Sequence, residues 1–316
     1  MRQTIGHMTA LAALGLFGLG MAGASATALE FKGLCEASAG AFIDAAHFAV
    51  ASDETNVLRV YDLAQPDAAG IAVDLQDFTD TDKSDIEGAA ALGERIYWIT
   101  SHSRNSSGED KAKRQRFFAT EADADAAIAG SGASVETLRD PILVALGSDA
   151  SEQALGEARG SLNIEGLAAG PADDLLIALR GPLVDDKAVL LPLTNPAALV
   201  DGADPEFGSP VVLDLEGNGI RDIARVTPPE GVALYQIVAG PVQDGPGFAL
   251  WRWDGKPDGK LAKLDVDFGA LRPEAVLPVP KASSVLFLSD DGDACSDEDD
   301  PVDQRSFRAL QIDLPD

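Results

Sequence analysis

The stretch from Ser84 to Asn105, SDIEGAAALGERIYWITSHSRN, constrains the fold more than any other part of the chain. It opens on acids and a small apolar run, turns at Gly93, continues as a run rich in β-formers and ends in a polar tip. Weaker copies begin at Cys35 (CEASAGAFIDAAHFAVASDETN), Leu162 (LNIEGLAAGPADDLLIALRGP), Gly219 (GIRDIARVTPPEGVALYQIVAGP) and Leu271 (LRPEAVLPVPKASSVLFLSDDG). Look-alike segments recurring at roughly fifty-residue spacing, with one longer gap, mark radial or solenoid repetition.

Each copy is followed by further short runs of Val, Ile, Leu and aromatics between Gly, Pro, Asp and Asn clusters, which is the punctuation of strands and turns. VLRVYDL (57–63) and IAVDLQDF (71–78) follow the first, QRFFAT (115–120) the second, and AVLLPL (188–193) and PVVLDL (210–215) the third. FALWRWD (248–254) and KLAKLDVDF (260–268) follow the fourth, and FRALQIDL (307–314) the fifth. Four strands per unit is the blade of a β-propeller. The expected fold is all-β: a propeller of five four-stranded blades, or six if the long gap hides another. LEFKG (29–33), which precedes the first copy, is expected to supply the missing outer strand of the last blade and close the ring; a solenoid would not need that closure. The gap, residues 121–140, reads as an Ala-rich acidic insertion, perched before PILVALG (141–147) as the fourth strand of blade two.

In a propeller the first strand of each blade runs along the central channel, so residues at its start meet at one mouth. Aligning the copies on their leading acids puts Glu36, Glu87, Glu165, Asp222 and Glu274 there, with Asp290 at a returning tip. These are the candidate metal ligands, because hard divalent cations, calcium above all, take oxygen donors. Glu87 and Glu165, with His102 at the tip of the second copy, are the candidate acid–base groups. Arg104, Arg180, Arg221 and Asn105 are the candidates for holding a small anionic ligand, since a guanidinium fork binds two oxygens at once. The alternative is structural: each acid accepts backbone N–H bonds at its own strand start, or pairs with a neighbouring arginine. No G-x-S-x-G elbow is present. Two acidic runs, Asp214–Asp222 and Ser289–Pro301, suggest calcium loops, but Arg225 stands where the first would need its final Glu, and a solvated loop serves for the second.

The N-terminus carries Arg2, an apolar run from Met8 to Met21 and then AGASATA, the pattern of a secretory leader over 1–28. The remaining 29–316 is expected to be one propeller domain, periplasmic or secreted, monomeric, and not inserted in a membrane once the leader is cleaved. In an oxidising compartment Cys35 and Cys295, flanking the first and last copies, are expected to form a disulfide, although two free thiols are the alternative. The formal charge of −28 argues against nucleic acid and anionic lipid as partners. His7 falls in the leader, leaving only His47 and His102, too few for a multi-histidine zinc or iron site.

Together, DIEGAA, IYWITSHSRN, LNIEGLA, GIRDI, IVAGP and LSDDG resemble the bacterial family called domain of unknown function 3616, over nearly the whole mature chain. That resemblance implies a β-propeller with no assigned reaction. The EG-type repeats are more loosely similar to the esterase-like phytase group, which implies calcium-supported phosphoester or ester hydrolysis. The chain lacks the dense basic cluster that a highly phosphorylated inositol would call for. A non-catalytic binding or scaffold propeller of the cell envelope is the competing class, because fold does not fix function.

Overall fold

The computed structural model describes residues 26–105, 107–147, 162–227, 231–292 and 301–314. Its strands form five four-stranded antiparallel sheets. In the first blade β2 (Ala39–Phe42), β3 (His47–Ser52), β4 (Thr55–Asp62) and β5 (Ile71–Asp74) run from the axis outward. The second holds β6 (Ile86–Leu92), β7 (Arg95–Thr100), β8 (Phe117–Ala122) and β9 (Ile128–Val135). The third holds β10 (Asn163–Ala169), β11 (Leu175–Gly181), β12 (Ala188–Leu193) and β13 (Val211–Leu213). The fourth holds β14 (Gly219–Val226), β15 (Leu234–Gly240), β16 (Ala249–Trp253) and β17 (Leu261–Lys263). The fifth holds β18 (Pro273–Pro278), β19 (Ser284–Ser289) and β20 (Ser306–Asp313), completed on its outside by β1 (Ala26–Lys32). The inner strands β2, β6, β10, β14 and β18 each pack on the next, and β18 packs on β2, so the ring is closed with five blades.

The core is divided among the blade interfaces. One apolar cluster joins blades two and three through Tyr97, Ile99, Phe117, Leu167 and Ile177. Others join three to four, five to one, one to two and four to five. This follows from strand chemistry: a sheet whose two faces are both covered reads as a nearly continuous apolar run, as in Leu175–Leu179 and Ser284–Leu288. Glycine lets the inner strands crowd the axis. A Cβ on Gly88 would lie 2.9 Å from the backbone of Gly166 and Leu167 in the next blade.

Closure is made by β1, which pairs antiparallel with β20 from Ala26↔Ile312 to Lys32↔Ser306. Phe31, fully buried, carries the energetics of that seam. Its ring lies 5.2 Å from Phe48, 5.6 Å from Tyr61 and 5.5 Å from Phe307, joining first and last blades in one aromatic cluster. The expected leader falls mostly on residues 1–25, outside the described residues. No helix among the described residues is long and apolar enough to cross a membrane.

The gap between the second and third copies differs from the expectation. Residues 121–140 are not an excursion before the fourth strand; they contain it. Ile128–Val135 pairs with β8 from Ala122↔Ile128 to Phe117↔Val135, with one register shift. Pro141–Gly147 is instead largely helical, within a helix spanning Arg139–Ala145. Ile142 and Leu143 of that helix seal the interface of blades two and three, which explains their apolar character without a strand.

Candidate functional site

Four of the inner strands break register at one station. The shift lies between Ile86 and Gly88 in β6, Ile164 and Gly166 in β10, Ile220 and Asp222 in β14, and Pro273 and Ala275 in β18. The extra residue of such a bulge is unpaired and its side chain is re-aimed. Those residues are Glu87, Glu165, Arg221 and Glu274. Counting from the penultimate residue of the second strand, which pairs with Gly88 in blade two and Ala39 in blade one, the matching residue of blade one is Ser38. The ring at the mouth is therefore Ser, Glu, Glu, Arg and Glu.

This corrects two of the five expected positions. Asp222 sits one residue past its blade's bulge, is buried, and accepts the Val276 N–H of blade five at 2.7 Å. Burial pushes its pKa well above the carboxylate range, against the pull of backbone N–H groups. Its carboxyl is taken up by backbone N–H groups of blades three, four and five, so it joins blades and is not one of the bulge residues of the ring. Glu36 lies two residues ahead of Ser38, at the station of Asp85, and bridges to Asp290 of blade five.

On one side of the mouth the charges alternate. Arg180 donates through Nη1 to Glu165 Oε1 at 2.9 Å, through Nη2 to Asp244 Oδ1 at 2.9 Å and through Nε to the Pro241 carbonyl at 3.3 Å. Asn163 adds a 2.8 Å bond to the same Glu165 oxygen. Arg221 places Nε 2.8 Å from Glu165 Oε2 and donates through Nη2 to Glu274 Oε1. Its guanidinium carbon lies 5.9 Å from the centre of the Phe248 ring. Burial disfavours the Arg221 charge, but Glu165, Glu274 and Glu87 more than compensate and raise its pKa. Outside this chain of pairs opens a cleft of ≈ 690 Å³ between blades four and five.

On the other side acids meet acids. Ligand oxygens of Glu36, Asp53 and Glu54 lie within 4.8 Å of one another, as do those of Asp53, Asp85 and Glu87. Asp53 belongs to both groups. Desolvation, then the charges of Glu36, Asp85, Glu54 and Asp290, push its carboxyl up to about 8. Desolvation and Asp290 raise Glu36. Burial, then Asp85, Glu165, Asp53 and Glu274, hold Glu87 well above the usual range. Blades two and five are not adjacent, yet the Glu274 charge still contributes to the Glu87 shift, as charges facing one axis do. Glu274 itself is pushed up to about 7 by burial, with Arg221 pulling the other way. Partial relief comes from Lys83 at Glu54, the Ser101 hydroxyl at Asp85 Oδ2 and Arg114, 3.3 Å from Asp85. Asp85 holds a left-handed φ of 64°, a conformation Asp adopts more readily than most residues other than glycine.

The other expected site residues lie elsewhere. His102 is fully buried; its Nδ1 meets the Thr100 carbonyl at 2.8 Å. Burial, then Arg139 and Arg116, pull its pKa down to about 4, so it is a neutral packed imidazole and not a tip residue. Arg104 pairs with Asp110 at 2.9 Å. Asn105 organises its own loop, accepting the N–H groups of Ser107 and Glu109. Asp290 does reach the mouth, near Glu36 and Asp53. Cys295 and most of the acidic loop that holds it lie outside the described residues, so the expected bridge to Cys35 stays an expectation. Asp53 and Glu54 form the returning tip of the first copy in the sequence but are not among the expected ligands, and neither is Asp85, two residues ahead of Glu87. The signal for them is the register: Asp53, Ser101 and Asp290 each follow the last residue of a second strand.

No curated protein matches the chain. Among solved structures, a Myxococcus xanthus glutaminyl cyclase is 12% identical, with 93% of this chain and 98% of that one covered at a TM-score of 0.47. A putative oxidoreductase (glucose dehydrogenase) of Thermus thermophilus is 15% identical, covering 92% and 100% at 0.44. The β-propeller domain of Myceliophthora thermophila Cps50 is 10% identical, covering 92% and 100% at 0.42. The five-bladed fold stands on the sheets described above and not on these likenesses. A family model described as "Protein of unknown function (DUF3616)" matches residues 154–284, from ahead of β10 to the first residue of β19, so the resemblance seen in the repeats is found over blades three, four and the start of five.

Proposed function

We propose that the channel mouth binds a divalent cation, with calcium the best fit, beside a cleft that takes a small anionic ligand, and that the protein hydrolyses an ester or phosphoester there after export. The observation that carries the reading is the pair of carboxylate groups sharing Asp53, whose oxygens lie within 4.8 Å of one another. The donor set fits: it is all oxygen, as hard cations require, and burial together with the crowding of its charges raises Asp53, Glu36 and Glu87. Like charges this close need a proton or a cation to offset them. Glu36, Asp53, Glu54, Asp85 and Glu87 would hold the ion. A bound divalent cation supplies Lewis acidity. The chain's own part is charge relief and orientation: burial and its acidic neighbours favour the neutral form of Glu87, and Glu165 pairs with the two guanidiniums that face the cleft.

One observation favours the competing reading of a non-catalytic envelope propeller: Arg180 and Arg221 are already engaged by the protein's own carboxylates. Calcium titration by calorimetry and by thermal unfolding tests the cation site. Binding is expected to raise the melting temperature of the wild type, and Asp53→Asn is expected to be insensitive to calcium. Equal calcium responses in the two proteins, or none in either, would remove the site. Turnover of p-nitrophenyl acetate or p-nitrophenyl phosphate that depends on calcium then separates an enzyme from a scaffold.

A further inference from the structure

The cleft beside the mouth has one wall of guanidiniums and another of half-buried apolar side chains, Phe248, Val266 and Leu271, with Phe268 behind them. Across its entrance runs the loop 241–248, whose Asp244 is almost fully exposed at its side chain yet places Oδ1 2.9 Å from Arg180 Nη2. Every other partner of Arg180 given above is part of the frame: Glu165 is buried in the ring and the Pro241 carbonyl is backbone. Asp244 is the exchangeable one. It rides on a segment with Gly245 at φ 157° and Gly247 at φ 115°, conformations that other residues rarely adopt, so the loop is built around glycine pivots.

We infer that Asp244 is a built-in occupant of a carboxylate site, and that the cleft takes a monocarboxylate carried on an apolar body, which displaces Asp244 from Arg180 when it binds. The inference deepens the anionic-ligand half of the proposed function and rests on it. A carboxylate fits because one is already held there at hydrogen-bond distance. A single charge fits because Glu165, Glu274, Asp244, Asp267 and Asp290 outnumber the guanidiniums of Arg180, Arg221 and Arg272 around the cleft. A monoanion that swings Asp244 out into solvent adds least to that balance, whereas a phosphate dianion adds twice the charge in a partly desolvated place. The apolar body fits because Phe248, Val266 and Leu271 offer it surface that water otherwise covers. The Asp244 contact then acts as a latch: the apparent affinity falls by the fraction of molecules in which the latch is open.

The test is calorimetric or NMR titration of the full chain with phenylacetate, indole-3-acetate and octanoate against inorganic phosphate, each in EDTA and in calcium. At least one carboxylate is expected to bind more tightly than phosphate. Asp244→Asn is expected to tighten that binding by about fivefold, the release expected when a mostly exposed ion pair no longer competes. Arg180→Gln is expected to abolish binding; Arg180→Lys, which keeps the charge that Glu165 needs but loses the fork, is expected to weaken it at least tenfold while remaining folded. Unchanged or weaker binding in Asp244→Asn overturns the latch. Phosphate binding as tightly as the best carboxylate, or no binding by any of the three, overturns the ligand class. Because calcium binding is read separately on the same proteins, loss of the cation site and loss of the carboxylate site give different patterns.

Discussion

Replacing Arg221 with Gln tests the electrostatics of the ring most directly. Arg221 is buried at 7% exposure and answers two carboxylates from neighbouring blades, with Glu165 Oε2 at 2.8 Å and Glu274 on its other side. Glutamine keeps much of the shape and removes the charge. Stripping one partner from a buried ion pair costs roughly 3–5 kcal/mol, because the remaining charge is left uncompensated in a poorly hydrated place. For a chain of this size that corresponds to a fall in melting temperature on the order of 10 °C. The loss carries a pH signature. Glu274 titrates at about 7 in the folded protein against 4.5 when unperturbed, and it does so with Arg221 pulling it down. A carboxyl raised on folding has no penalty below its unfolded pKa; the penalty grows as pH rises from the unfolded to the folded value and levels off above it. In Arg221→Gln the folded value climbs further, so the gap from wild type is expected to be small near pH 5 and to widen between pH 7 and pH 9. Urea unfolding at pH 5, 7 and 8.5, followed by circular dichroism and by tryptophan fluorescence to check two-state behaviour, gives the comparison. Adding Glu274→Gln to Arg221→Gln is expected to recover at least half of the loss at pH 8.5. A cost below about 1 kcal/mol at that pH, or a gap that does not change with pH, would refute the ring as a set of coupled buried charges.

Two further outcomes follow from burial. His102 stays neutral in the fold down to about pH 4 while the unfolded chain takes up a proton near 6.5, so its contribution is present above 6.5 and is lost as pH falls toward 4. Wild type is therefore expected to lose about 2–3 kcal/mol more than His102→Gln between pH 7 and pH 4.5, read from urea midpoints; equal losses would place the imidazole in solvent. Phe31→Ala removes the ring shared by the first and last blades and is expected to cost about 3–5 kcal/mol in the same assay, whereas a cost under about 1 kcal/mol would mean that the seam contributes little.

The blade pattern was legible because each inner pair of strands is apolar on both faces, so runs such as IYWIT and VLFLS stand out against their turns. β9 was not legible. IAGSGASV is an outer strand, mostly exposed, made of Gly, Ala and Ser, and its place is set by pairing with β8 rather than by its own composition. Aligning the copies on acids misplaced Asp222 and Glu36, since a bulge adds a residue that composition does not reveal. The residues that hold the register are Ile86, Ile164, Ile220 and Pro273, and on that alignment IEG, IEG, IRD and PEA fall into step, with Arg221 in the ring. The mouth was half legible. Glu36, Glu87, Glu165, Arg180, Arg221, Glu274 and Asp290 do gather, Glu36 from a station two residues ahead of the ring, while Asp53 and Asp85 become central only when two blades place their tips side by side. His102 misled because a polar string suggests a solvated tip, and here the imidazole is buried with Nδ1 on the Thr100 carbonyl.

The pairing of β1 with β20 has a kinetic consequence. Those segments are separated by almost the entire chain, so their meeting is the most entropically costly contact in the molecule and is expected to come late. Until it forms, the last sheet has a bare margin at β20 and the rings of Phe48, Tyr61 and Phe307 lack the one that fits among them. A nascent chain would therefore carry an open, strand-accepting border until its earliest-made segment arrives, and a second molecule's β1 would fit that border as well as its own. Refolding at high protein concentration should thus raise the share of exchanged dimers, read by size-exclusion chromatography.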